Sequence, residues 1–235
     1  MVRIFDRNMF IMMSTVLIGV VVITYFIGDI MYQSNITQLT SKHVSEIESM
    51  EERNINFTSS FLESSVLLDS AREDRAFGNY YFDLGHLFYT SALAEDNITV
   101  FEAYQNWCIE NCSAAMPMYE TSQKNFITSS SFFNATKKYT EYQNYIELLS
   151  MYVNLTNSGA ILTMLRYNAS MYLRMLAENL TFVNGSALLE NATMLEDLLN
   201  ATLIMYAAES GNYENIQKEI DEYDIQGFST IREPV

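Results

Sequence analysis

Eleven asparagines in this chain are followed, two residues later, by serine or threonine: Asn35, Asn56, Asn97, Asn111, Asn134, Asn154, Asn168, Asn179, Asn184, Asn191 and Asn200, out of twenty asparagines in all. The chemistry such a triplet offers is attachment of an N-linked sugar to the asparagine amide, on a chain delivered outside the cytoplasm. One triplet means little, but eleven is well beyond what chance placement of the serines and threonines gives. Helical periodicity sorts them, since each residue of a helix turns about 100°. Asn56 and Asn200 point away from the apolar stripes of their helices, and Asn97 and Asn184 sit in expected turns. These four are expected to take sugar, with Asn111, Asn134, Asn154, Asn168 and Asn179 as further candidates. Asn191 falls within an apolar stripe and is expected to be bare, and Asn35 lies close to the expected bilayer.

The other reactive residues are few. Cys108 and Cys112 are the only cysteines. Their spacing allows a local disulfide if the helix loosens there, and otherwise two ordinary thiols beside Trp107. A zinc site needs about four ligands, and His43 and His86 are the only histidines, so no metal site is expected. His43 and Asn54 fall on an apolar seam, where a polar residue can fix register between helices, and His86 falls opposite the apolar face of its helix. The sequence contains no nucleophile elbow, zinc-protease or phosphate-loop motif, and the expectation is a protein that is not an enzyme and carries no cofactor.

If sugars are to be added, something must hold the acceptors outside, and the sequence supplies a candidate. Between Arg7 and Asp29 lie 21 residues without a charge. As a helix they span roughly 30 Å, the thickness of a bilayer's hydrocarbon core. Arg3 and Arg7 precede the run, whereas Asp29 follows it with no Lys or Arg before Lys42. Positive residues stay on the cytoplasmic side, so residues 30–235 are expected outside the cell membrane. The run is longer than the apolar core of a cleaved signal, and no small-x-small site follows it, which favours an uncleaved anchor.

Beyond the anchor everything reads as helix. Only Pro117 and Pro234 are prolines, and no glycine or proline occurs between Asp29 and Phe77. There, Ile36, Thr40, His43, Ile47, Met50, Asn54, Phe57, Phe61, Ser64 and Leu68 step by threes and fours, the seam of a coiled coil or bundle helix. Glycine and proline are then expected to punctuate shorter helices: a turn at Gly78-Asn79, a helix over 80–94, another from Thr99 to about Ile109, a break at Pro117, a helix over 119–157 ended by Gly159, and helices over 160–182, 186–209 and 213–224. No strand is expected. The organisation expected is a short cytoplasmic tail (1–8), a transmembrane signal anchor (9–28), a stalk or bundle helix (29–77), a helical-bundle ectodomain (78–226) and a C-terminal tail (227–235). The fold class is all-α, one transmembrane helix continuing into an extracytoplasmic antiparallel bundle.

Charge narrows the partners. A net charge of −16 argues against nucleic acid, which is bound by clustered lysines and arginines. Partners are expected to be the membrane and either another protein or a second copy, met through helical faces. The function expected is a cell-surface structural or interaction component, a stalk or an accessory subunit of a larger assembly. The alternative is an extracytoplasmic ligand-sensing bundle that signals through a partner subunit. In outline, though not in any residue motif, such an arrangement is similar to the sensor modules of chemoreceptors.

Overall fold

Scarce proline and widely spaced glycine leave long stretches with nothing to end a helix, and the structure fills them with four long ones. The computed structural model describes the backbone of residues 2–189 and 192–223, and the side chains of these from 24 onward. In chain order the elements are α1 (Val2–Ala94), α2 (Ile98–Thr136), a 3-10 turn (Lys137–Tyr139), α3 (Gln143–Glu178), β1 (Leu180–Val183), β2 (Ser186–Leu189) and α4 (Thr193–Glu222). Contacts divide the chain into two compact units, Met1–Arg53 and Asn54–Val235. In the first unit every described side chain, from Thr24 onward, is exposed. The side chains of 9–23, most of the expected membrane span, lie outside the described residues, as does the expected C-terminal tail.

The second unit is an antiparallel four-helix bundle, closed in sequence order. α1 and α2 run in opposite directions: the Ser122 hydroxyl donates to the Ala71 carbonyl at 2.7 Å, and Ser129 to the Ser64 carbonyl at 2.7 Å. α2 meets α3 the same way, through Gln105 on the Ala177 carbonyl at 2.8 Å and Ser122 against Thr163 at 3.3 Å. α3 and α4 are tied by Ser158 to Glu209 and by Tyr223 to Glu147. Arg72 of α1 reaches Tyr213 and Gln217 of α4 and completes the ring. The core contains Phe82, Tyr119, Phe126, Phe133, Leu155 and Leu173, all buried. Each such side chain, fully buried, contributes about 1.5–3 kcal/mol before entropy is charged against it.

Several expected breaks are absent, and glycine explains most of them. α1 passes straight through Gly78, where a turn is expected, because that glycine is a space and not a bend. A Cβ there would lie 2.7 Å from the Tyr119 ring, and one at Gly85 would lie 2.7 Å from the Cys112 sulfur. Gly159, expected to end a helix, is buried mid-α3, where a Cβ would run into the Phe126 ring. Gly211 lies exposed within α4, which therefore spans the two helices expected on either side. Pro117 sits inside α2 without ending it. The lost backbone bond costs on the order of 3 kcal/mol and is outweighed by the fully buried Ala115 and Tyr119 beside it. The real break after α2 comes at 137–142, which contains neither glycine nor proline, so the helix expected over 119–157 is two.

One strand pair also corrects the all-helix reading. Leu180–Val183 and Ser186–Leu189 form an antiparallel hairpin in the register Leu180↔Leu189 to Val183↔Ser186. Its two-residue loop is Asn184-Gly185, at φ 54° and 81°. Both need the left-handed backbone, and Asn-Gly is the pair that most readily supplies it. The helix expected from Ser186 is thus a strand, and α4 starts at Thr193. Phe182 of the hairpin packs on Phe101 at 5.2 Å and closes one end of the core.

Among the described residues, α3 is the one helix long and apolar enough to cross a membrane, and half of its apolar window is buried inside the bundle. Fourteen of its residues are buried in the bundle, which accounts for its apolar composition.

Candidate functional site

The asparagines of the acceptor triplets that are described lie mostly on the bundle surface. Asn97, Asn134, Asn154, Asn179, Asn184 and Asn200 are exposed, as is Asn35 in the first unit, while Asn56, Asn111 and Asn168 are half-buried. Asn191 lies outside the described residues. The atom that accepts a sugar is the amide Nδ2, so its commitments matter. Asn97 caps α2 through its oxygen, accepting from Thr99 at 3.0 Å and Val100 at 3.3 Å, and this leaves Nδ2 turned to other use. Asn111 and Asn179 instead donate through Nδ2 to carbonyls one turn back, Trp107 and Met175, both at 2.7 Å. Asn184 stands at the exposed hairpin tip, and Asn200 on the outer face of α4.

The two thiols take no part in a staple. Cys108 and Cys112 are free and buried in unbroken helix, and the disulfide required the helix to loosen there. Their hydrogen bond, with burial, pushes the Cys112 thiol far above its usual range. Trp107 is half in water. His43 is exposed and 3.5 Å from Glu46, and His86 is exposed, stacked on Phe82 at 6.4 Å. Among the described residues no three His, Cys, Asp or Glu side chains are grouped so as to hold a metal ion.

A cluster that the sequence reading did not single out lies where α4 meets its neighbours. The Arg75 guanidinium lies 4.5 Å from the centre of the Tyr213 ring and 5.5 Å from that of Phe126. Two turns along, Arg166 of α3 is held between Tyr206 at 4.1 Å and Phe82 at 4.5 Å, with Asp83 at 4.0 Å. Arg72 adds a bond from its Nε to the Tyr213 hydroxyl at 3.0 Å. Such stacks contribute about 0.5–2 kcal/mol each, more when dry. One nitrogen of Arg75 and the Nε of Arg166 are buried without a hydrogen-bond partner among the described residues. The sequence did hold a signal: Arg75 occupies the seam step between Leu68 and Phe82, each seven residues away, where an apolar residue belongs.

At one end of the bundle the start of α3 and the end of α4 leave an open cleft lined by Gln143, Asn144, Glu147, Met151, Glu219, Glu222 and Tyr223. Glu147 accepts from Gln143 at 3.1 Å and from the Tyr223 hydroxyl at 2.9 Å. These bonds favour the charged carboxylate and lower its pKa.

Comparisons with protein-family models, with curated proteins and with solved structures find nothing that matches this chain.

Proposed function

We propose that this chain is a membrane-anchored, N-glycosylated helical protein of the cell surface, acting as a structural or interaction component: a stalk or an accessory subunit of a larger assembly. The observation that carries the reading is the placement of the acceptor triplets. Six of those on the bundle present an exposed asparagine, and none of the described ones is fully buried. The uncharged run 9–28 and its flanking arginines support the anchor independently. Glycopeptide mass spectrometry of the protein from its native membrane is the test, with sugar expected on Asn97, Asn184 and Asn200. Bare asparagines at all three, or a mature N-terminus beginning after Gly28, would overturn the reading.

A ligand-sensing bundle is the second reading, and one observation favours it: the open cleft between the start of α3 and the end of α4 presents Glu147, Glu219 and Glu222 to a cationic ligand group. A thermal-stability gain with a small organic amine, lost in Glu147→Gln, would bring it forward.

A further inference from the structure

α1 has a second apolar face, and none of the described residues of the bundle covers it. Ile55, Leu62, Val66, Phe77, Tyr80 and Leu87 are each more than half exposed. At about 100° per residue all six fall within roughly 80° of arc, opposite the stripe of Leu68, Ala71, Phe82 and Tyr89 that enters the core. The face runs for about 50 Å along the helix. Isolated exposed apolar residues need no explanation, but two apolar stretches on one face, Ile55 to Val66 and Phe77 to Leu87, mark a docking surface by ordinary standards.

Two further observations say what docks. From 57 to 96 the sequence contains no acceptor triplet, whereas nine occur from Asn97 to Asn200. The apolar face thus carries no acceptor triplet beyond Asn56, which adjoins Ile55 at its end. In the middle of the same arc stand Asp69 and Glu73, both exposed. Asp69 has Arg72 at 3.5 Å, and Glu73 has no ion-pair partner among the described residues. A second copy on this face would oppose acid to acid, between chains of net charge −16 each, a repulsive arrangement.

We infer that the outer face of α1, from Ile55 to Leu87, docks an amphipathic helix of a different protein, one whose apolar stripe is interrupted at its middle by lysine or arginine. Leu62 and Val66 on one side, and Phe77, Tyr80 and Leu87 on the other, bury the apolar steps of that helix, and Glu73 pairs with its central cation. Helix-in-groove recognition reads anchors at this spacing. The inference rests on the reading of the chain as an interaction component.

The test uses the full chain in lipid nanodiscs and a helical probe peptide about 28 residues long, with leucine at the two seam positions of each heptad and lysine at the two central ones. A twin peptide carries glutamate in place of those lysines. The lysine peptide is expected to bind at least about tenfold more tightly than its twin. Leu62→Glu or Tyr80→Glu should abolish binding with helix content unchanged, since both side chains face water. Glu73→Lys should shift the preference toward the glutamate twin. Equal binding of the two peptides, binding that survives Leu62→Glu, or a dimer lost in Leu62→Glu would overturn the assignment, the last in favour of a second copy. Sugar mapping is independent of the peptide, so docking can fail while the surface placement stands, and the reverse.

Discussion

At the scale of single residues, glycine decides most of this structure, and its role differs from position to position. Gly78, Gly85 and Gly159 are sockets for Tyr119, Cys112 and Phe126, whereas Gly211 faces water with nothing near it. Alanine at these sites should therefore have opposite effects. Gly159→Ala forces the Phe126 ring aside and is expected to destabilise by about 1–3 kcal/mol, whereas Gly211→Ala should stabilise by roughly 0.5–1 kcal/mol. Urea unfolding of the two variants checks the pair, and equal signs would refute the socket. The sequence held no way to separate them: Gly159, Gly185 and Gly211 recur every 26 residues, yet one is a socket, one a turn and one neither. A glycine's own residue type says nothing of which partner needs its empty space.

Titration belongs to the same scale. Glu147 has its pKa lowered from 4.5, chiefly by its bonds from Gln143 and Tyr223. A lowered carboxylate stabilises the fold above its unfolded value and loses that contribution as acid protonates it. Tyr223→Phe should thus weaken the protein more at pH 7 than at low pH, where Glu147 is protonated in both and what is lost is the hydroxyl's bond to the Asn144 carbonyl. Tyr89 has the opposite sense: burial pushes its pKa from 10.0 up to about 12. Its contribution is complete below pH 10 and declines as pH rises toward 12, and Tyr89→Phe should make the protein more resistant to alkaline unfolding.

Among the elements, α4 is held differently from the rest. It buries only Leu199, Thr202, Tyr213 and Ile220, against fourteen buried residues on α3, and arginine–tyrosine stacking makes up part of the difference. Elements with few buried apolar contacts open first. Hydrogen exchange should find the α4 amides fastest among the four bundle helices, and Tyr213→Leu should speed them further while α2 stays unchanged. Uniform exchange across the four helices would contradict this. Periodicity made only the later part of the α1 seam legible: Ser64 and Leu68 are buried and Phe57 and Phe61 half-buried, whereas Ile36, Thr40, His43, Ile47, Met50 and Asn54 are exposed. Helix ends were poorly legible because the chain stops α2 at Lys137-Lys138-Tyr139 without a residue that announces a stop. The hairpin was legible in principle, since Asn184-Gly185 is a standard turn pair, but four-residue strands carry too little alternation to compete with a helical reading.

At the scale of the molecule, the unit Asn54–Val235 contains the whole described core. A chain beginning at Asn54 should keep its helix content and unfold in one cooperative step, as calorimetry would show; two separate transitions, or loss of structure, would refute the division. The all-helical class followed directly from composition. The docking face did not, because apolar residues on both sides of α1 look alike in sequence until the core side is known.

The sockets and knobs of α1 and α2 recur every seven residues: Ser64, Ala71, Gly78, Gly85 and Ala92 are small, and Cys112, Tyr119, Phe126 and Phe133 are larger. Sliding one helix past the other by seven residues, about 10.5 Å, would match small to large almost as well. The apolar core is therefore a vernier that fits at more than one setting. What selects the native setting is a handful of unrepeated contacts: the Tyr119 hydroxyl on Asn79 at 2.9 Å, Gln105 on the Ala177 carbonyl, and Arg166 of α3 against Phe82 and Asp83 of α1. Removing Asn79 and Tyr119's hydroxyl together would erase one of these marks and leave the others to hold the alignment.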